Sequence, residues 1–184
     1  KQKIIGIINL DSGVYMFNET LRYISWKLSN LGYKTFTLKC GNNLKSCICY
    51  NALNDIDIEK IGDNNVCKPE NNISSNLTFF INKDKACREE ETFTKNFWNN
   101  FNKNGIIADV SDMKFKNFNI VKIAFFDFSL KEKIRINTPL NESLKNKFFN
   151  AILDQIIIIK SLEKIPYKYN IEKIIYINGN YSQN

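Results

Sequence analysis

Cys40, Cys47, Cys49 and Cys67 fall within one Asn-, Asp- and Gly-rich stretch, and four thiolates converging from a loop are a donor set that tetrahedral zinc accepts. The spacing departs from paired C-x2-C knuckles, because "VCKPE" carries Glu70 where a second cysteine would complete one, and free loop thiols are the competing reading. With Cys87 the number of cysteines is odd in a chain long enough to fold without staples, which fits a reducing compartment. Histidine is absent, so Ser-His-Asp and Cys-His catalysis, imidazole bases and His-bearing zinc sites are excluded from this segment. Neither a GxGxxG nor a GxxxxGK[ST] motif occurs, and dinucleotide and P-loop chemistry therefore lack their phosphate cradle.

Two glycine turns remain as places for a ligand: Gly13 in "NLDSG" and Gly179 in "INGNY", each directly after an apolar run. Such turns bare backbone N–H groups near a helix N-terminus, which suits a phosphate or a sugar hydroxyl. Asp127 is a different kind of candidate. It stands among Phe125, Phe126 and Phe128, where burial would raise its pKa and make it an acid/base group, against the alternative of a helix cap or a surface carboxylate.

The elements that would position these groups read as an α/β chain. Ile4 to Ile8 is a continuous apolar, largely β-branched run, the pattern of a central parallel strand buried on both faces. Leu21, Ile24, Leu28 and Leu31 then repeat at helical intervals, with Asn18 as the expected N-cap and Gly32 where a left-handed C′ residue belongs. "YKTFTLK" alternates as a second strand, and strand, helix, strand over this length is a βαβ unit. Residues 41–75 read as an inserted Cys/Asn-rich loop, and "NLTFFIN" as a further short strand. A helix is expected over Thr92–Asn104, its Phe93, Phe97, Trp98 and Phe101 face being core rather than a base-stacking platform, and Gly105 ends it. Residues 119–135 are ambiguous between strand and helix. Thr138 followed by Pro139 predicts the start of a long helix striped by Leu144, Phe148, Ile152, Ile156, Ile159 and Leu162 and broken at "IPYKYNIE". Lys173 to Ile177 closes the pattern as a short buried strand. The predicted fold is an open, mainly parallel, twisted Rossmann-like sheet with helices on both faces, formed by residues 1–184 as one domain.

Composition narrows the partners. The net charge of +7 favours anions, whether nucleic acid, an acidic membrane surface or phosphorylated sugars. The lysines are scattered and the arginines are only Arg22, Arg88 and Arg135, so no specific nucleic-acid footprint is expected. Asn-x-Ser/Thr triplets begin at Asn18, Asn72, Asn76, Asn141 and Asn180, a frequency that an Asn-rich composition produces by chance. No apolar run reaches the roughly 18 residues of a membrane span, and the expected location is the cytoplasm, extending to the inner face of the membrane.

"IIGIINLDSGVYMFNETLRYISWKLSNLGYKTFTLKCGNNLKSCIC" resembles the start of bacterial glycosyltransferases of surface and capsular polysaccharide synthesis, with "LGYKTFTLKC" similar to their L-x-x-G-H-x-V strand and Tyr33 in place of the usual histidine. "ILDQIIIIKSLEKIPYKYNIEKIIYINGNYS" resembles their later helix, apolar strand and NG turn. The resemblance implies one half of a GT-B architecture: an acceptor-side domain, inactive alone, with a donor domain holding the nucleotide-sugar beyond Asn184. It implies no cofactor in this half, and a sugar acceptor, free or lipid-linked, as its partner; Glu70 in place of an expected cysteine weakens an inherited metal site, and no metal ligand is assigned. Carried over by position, the cleft edge comprises Asn9, Asp11, Ser12 and Gly13 after the first strand and Asn178, Gly179, Asn180 and Tyr181 after the last. Asp11 is the ionisable residue of these turns, a base for an acceptor hydroxyl or, alternatively, an Asx turn closing the strand. The asparagines pair with sugar hydroxyls or serve the turns themselves. The competing class is a non-catalytic α/β domain that binds a small anion at the same edge.

Overall fold

The computed structural model describes residues 4–9, 15–39, 43, 44, 46, 77–81, 86–168 and 170–176. Among them, contacts define a sheet unit, within Lys1–Asn82 and Lys160–Asn178, and a helical unit, within Lys83–Ile159.

In the sheet unit, β1 (Ile4–Asn9), β2 (Lys34–Lys39), β3 (Leu77–Phe80) and β4 (Ile171–Tyr176) form one sheet in the order β3-β2-β1-β4. Every neighbouring pair is parallel. The expected βαβ unit is present: α1 (Tyr15–Asn30) connects β1 to β2 and packs on both. β1 is central, as its unbroken apolar run predicts, with Ile5 and Ile7 buried. Register shows how side chains divide between the faces. Ile5 pairs with Thr35 and Ile7 with Thr37, and the Ser25 hydroxyl of α1 meets that of Thr35, so this set faces α1. Gly6, Phe36 and Ile174 line the opposite face together with Leu162 and Ile165.

α1 begins at Tyr15, which places Asn18 in its first turn instead of at the N-cap. Its sheet-facing stripe is Leu21 and Ser25 with half-buried Ile24 and Leu28, while Leu31 lies beyond the helix and is exposed. The C-terminus follows the expected glycine signal. Gly32 adopts φ +82, its N–H donates to the Ser29 carbonyl at 3.0 Å, and the Tyr33 N–H donates to the Leu28 carbonyl at 3.1 Å. This pair of bonds is a Schellman motif, which requires the left-handed backbone that glycine adopts without a Cβ penalty.

The helical unit holds α2 (Arg88–Asn104), a 3-10 turn (Ile107–Val110), α3 (Ile120–Glu132) and the first part of α4 (Glu142–Lys168). Glu89, Glu90 and Glu91 occupy the first turn of α2, where negative charge complements the helix dipole. The aromatic face read from the sequence is core: Phe93, Phe97 and Phe101 are buried, and Phe97 contacts Trp98, Phe101, Phe148 and Phe149 with ring centroids 4.9–6.3 Å apart. The ambiguous segment is the helix α3, and its Ile120, Val121, Ala124 and Phe128 join the same core.

Two expectations about α4 are corrected. It starts at Glu142, not at the Thr138-Pro139 signal, and its cap is Asn141, whose Oδ1 accepts the Leu144 N–H at 2.9 Å. Pro139 instead forms an isolated antiparallel bridge with Ile106. The helix also continues through Pro166 to Lys168, so the "IPYKYNIE" break falls later than predicted. β4 is corrected as well: it spans Ile171–Tyr176 at the sheet edge and is largely exposed, with Ile174 at 55% and Tyr176 at 61%.

Candidate functional site

β1 and β4 are adjacent and parallel, with Ile7 opposite Ile175 and Ile8 opposite Tyr176. From β1 the chain proceeds outward through β2 to β3, then returns to the other side of β1 as β4. Strand order therefore reverses between β1 and β4. In open α/β sheets, ligands bind outside the carboxyl ends of the strands at such a switch point. The last described residues of the two strands, Asn9 and Tyr176, end at the same edge of the sheet.

Of the sequence-predicted site residues, Asn9 is the terminal residue of β1. Asp11, Ser12, Gly13, Asn178, Gly179, Asn180 and Tyr181 lie outside the described residues, as do Cys40, Cys47, Cys49 and Cys67. The strands that carry the two turns are thus brought side by side, which is the relationship the site requires. Among the described residues no cluster of His, Cys, Asp or Glu could hold a metal, and Cys87 is a free thiol.

Asp127 lies in the middle of α3, half-buried, so it is neither a cap nor a fully surface carboxylate. Asp112 is held below the ordinary carboxylate range, first by its hydrogen bond from Lys122 at 2.7 Å and then by that charge, but it is fully exposed and belongs to a surface ion pair.

The reading of residues alone did not single out an apolar cavity of about 530 Å³ in the sheet unit. Gly6, Phe36, Leu162, Ile165 and Ile174 line it, with Glu172 and Lys173 at β4. Its sequence signal is Gly6: a glycine inside an apolar strand marks a place where another group approaches closely or a side chain is missing. A Cβ on Gly6 would meet Ile171 and Ile174 at 3.5 Å, ordinary contact, so the missing side chain contributes directly to the void.

Comparison with protein-family models, with curated proteins and with solved structures finds no match for this chain. No helix among the described residues is long and apolar enough to cross a membrane.

Proposed function

We propose that the chain is the acceptor-side domain of a glycosyltransferase of surface polysaccharide synthesis, with its acceptor crevice at the β1/β4 switch point. The observation that carries this reading is the parallel pairing of β1 with β4. The β3-β2-β1-β4 order supports it, being the arrangement of the first four strands in the doubly wound Rossmann sheet. The resemblance of residues 4–49 and 152–182 to the two ends of that domain supplies the chemistry. In this reading Asp11 accepts the proton of an acceptor hydroxyl as its oxygen attacks the anomeric carbon of a nucleotide-sugar, and the nucleoside diphosphate departs on the donor domain. Asn9, Ser12, Asn178, Asn180 and Tyr181, with the turns at Gly13 and Gly179, hold the acceptor sugar.

A second reading, a non-catalytic domain that binds a small anion at the same edge, is favoured by the net charge of +7. Amide NMR titration of the chain separates the two. Methyl glycosides and prenyl-phosphate sugars should shift Ile8, Asn9, Ile175 and Tyr176, while uridine diphosphate binds weakly. Tight nucleoside-diphosphate binding or hydrolysis of sugar nucleotides by the chain overturns the first reading, and shifts caused by inorganic phosphate but not by sugars establish the second.

A further inference from the structure

The outer side of α1 has a composition unlike that of a merely solvated helix. With about 3.6 residues per turn, Tyr23, Trp26, Lys27 and Asn30 fall opposite the sheet-facing Leu21 and Ser25. Tyr23 is 60% exposed, Trp26 48% and Leu31, just past the helix, 66%. Tyr33 follows as another exposed aromatic. The Tyr23 and Trp26 rings lie 5.9 Å apart at an interplanar angle of 36°, and Lys27 Nζ stands 6.0 Å from the Trp26 ring. Between Thr20 and Leu31 the charged residues are Arg22 and Lys27, both basic, within a chain of net charge +7.

Trp and Tyr with one apolar and one polar end, beside a lysine that carries its charge on a long stem, make up the kind of face that lies in a bilayer interface. We propose that this face of α1 seats on an anionic lipid surface, with Trp26, Tyr23 and Leu31 entering the boundary between headgroups and acyl chains and Lys27 meeting lipid phosphates. The inference rests on α1 alone and does not require the glycosyl-transfer reading. It gives the general attraction of a basic chain to acidic surfaces a defined location, on the far side of α1 from the strands.

Co-sedimentation with vesicles tests it. The chain should bind vesicles of phosphatidylcholine and phosphatidylglycerol in equal parts at least about tenfold more tightly than phosphatidylcholine alone, and added salt should erase the difference. The double variant Tyr23→Ala, Trp26→Ala should lose at least about tenfold in partitioning, since each ring leaves water on binding. Lys27→Glu should lose roughly thirtyfold on the anionic vesicles and little on the neutral ones. Trp26 emission, isolated as the difference between wild type and Trp26→Phe, should move to the blue with anionic vesicles. These positions face solvent, and unchanged circular dichroism establishes that the variants are folded. Failure of the wild type to bind, or equal binding by wild type and variants, overturns the proposal. So does a lipid-free dimer abolished by Trp26→Ala, which assigns the face to a second copy, or a Trp26 shift with soluble saccharides, which assigns it to sugar.

Discussion

The Ser25 hydroxyl lies 3.0 Å from the hydroxyl of Thr35, and both residues are fully buried between α1 and β2. This bond couples the crossover helix to the strand it delivers. Ser25→Ala leaves the Thr35 hydroxyl buried without that partner and should cost about 1–3 kcal/mol by urea unfolding. The double variant with Thr35→Val should cost less than the sum of the singles. Thr37, one pleat further along the same face, has a buried Oγ1 with no hydrogen-bond partner, so Thr37→Val should raise stability by about 1 kcal/mol.

Among the described residues, Gly32 and Gly105 are left-handed and make a controlled pair. Gly105 has φ +64, and a Cβ there would lie 2.6 Å from Lys145 Cε and 3.0 Å from the Leu140 carbonyl. Its N–H donates to Phe101 and its carbonyl accepts from Leu140, so it both caps α2 and pins the approach to α4. Gly105→Ala combines backbone strain with a clash and should cost at least about 2 kcal/mol. Gly32→Ala has φ +82 but open space around the Cβ, and should cost only about 1 kcal/mol. Thermal unfolding of the two variants gives the comparison, and equal losses would mean that the contact with Lys145 is easily relieved.

The cap of α4 gives a similar discrimination. Asn141→Ala should destabilise by about 1 kcal/mol, because the Leu144 N–H loses its acceptor. Thr138→Ala should be nearly silent, although Thr138 precedes proline in the manner of a cap.

Among the described residues, Asp112 is a carboxylate whose titration is displaced by a partner. Its pKa is lowered in the folded chain, so its contribution is present above the unfolded carboxylate range and is lost as pH falls through the folded value. Lys122→Ala should return the Asp112 titration upward toward its ordinary position in carbon-detected NMR. Salt should do the same in the wild type, because the group is fully exposed.

Legibility followed the physics of each signal. Gly32 and Gly105 were readable as helix ends because positive φ narrows the choice of residue, and the Phe93, Phe97 and Phe101 stripe because helical periodicity and aromatic bulk both point to a core. The Thr138-Pro139 signal misled because Pro139 is held by its bridge to Ile106, a long-range contact that no local motif records. Residues 119–135 were ambiguous because an apolar run has no visible period until a neighbouring core selects Ile120, Val121, Ala124 and Phe128. The exposed state of β4 was hidden for a related reason: "IEKIIY" reads alike at the edge or the middle of a sheet. The candidate site was legible as far as the side-by-side, parallel placement of its two apolar strands, while the turns beyond Asn9 and Tyr176 belong to residues outside the described set.

The same adjacency has a consequence for biosynthesis. Ile4–Asn9 emerges from the ribosome long before Ile171–Tyr176, the strand that covers one of its two hydrogen-bonding edges. Until those residues emerge the nascent chain displays an apolar β1 with that edge unmatched, a surface that chaperones recognise and that neighbouring nascent chains can capture. Closure by a non-local strand is intrinsically slow, so what shields β1 during elongation bears on how much of the chain reaches its finished core.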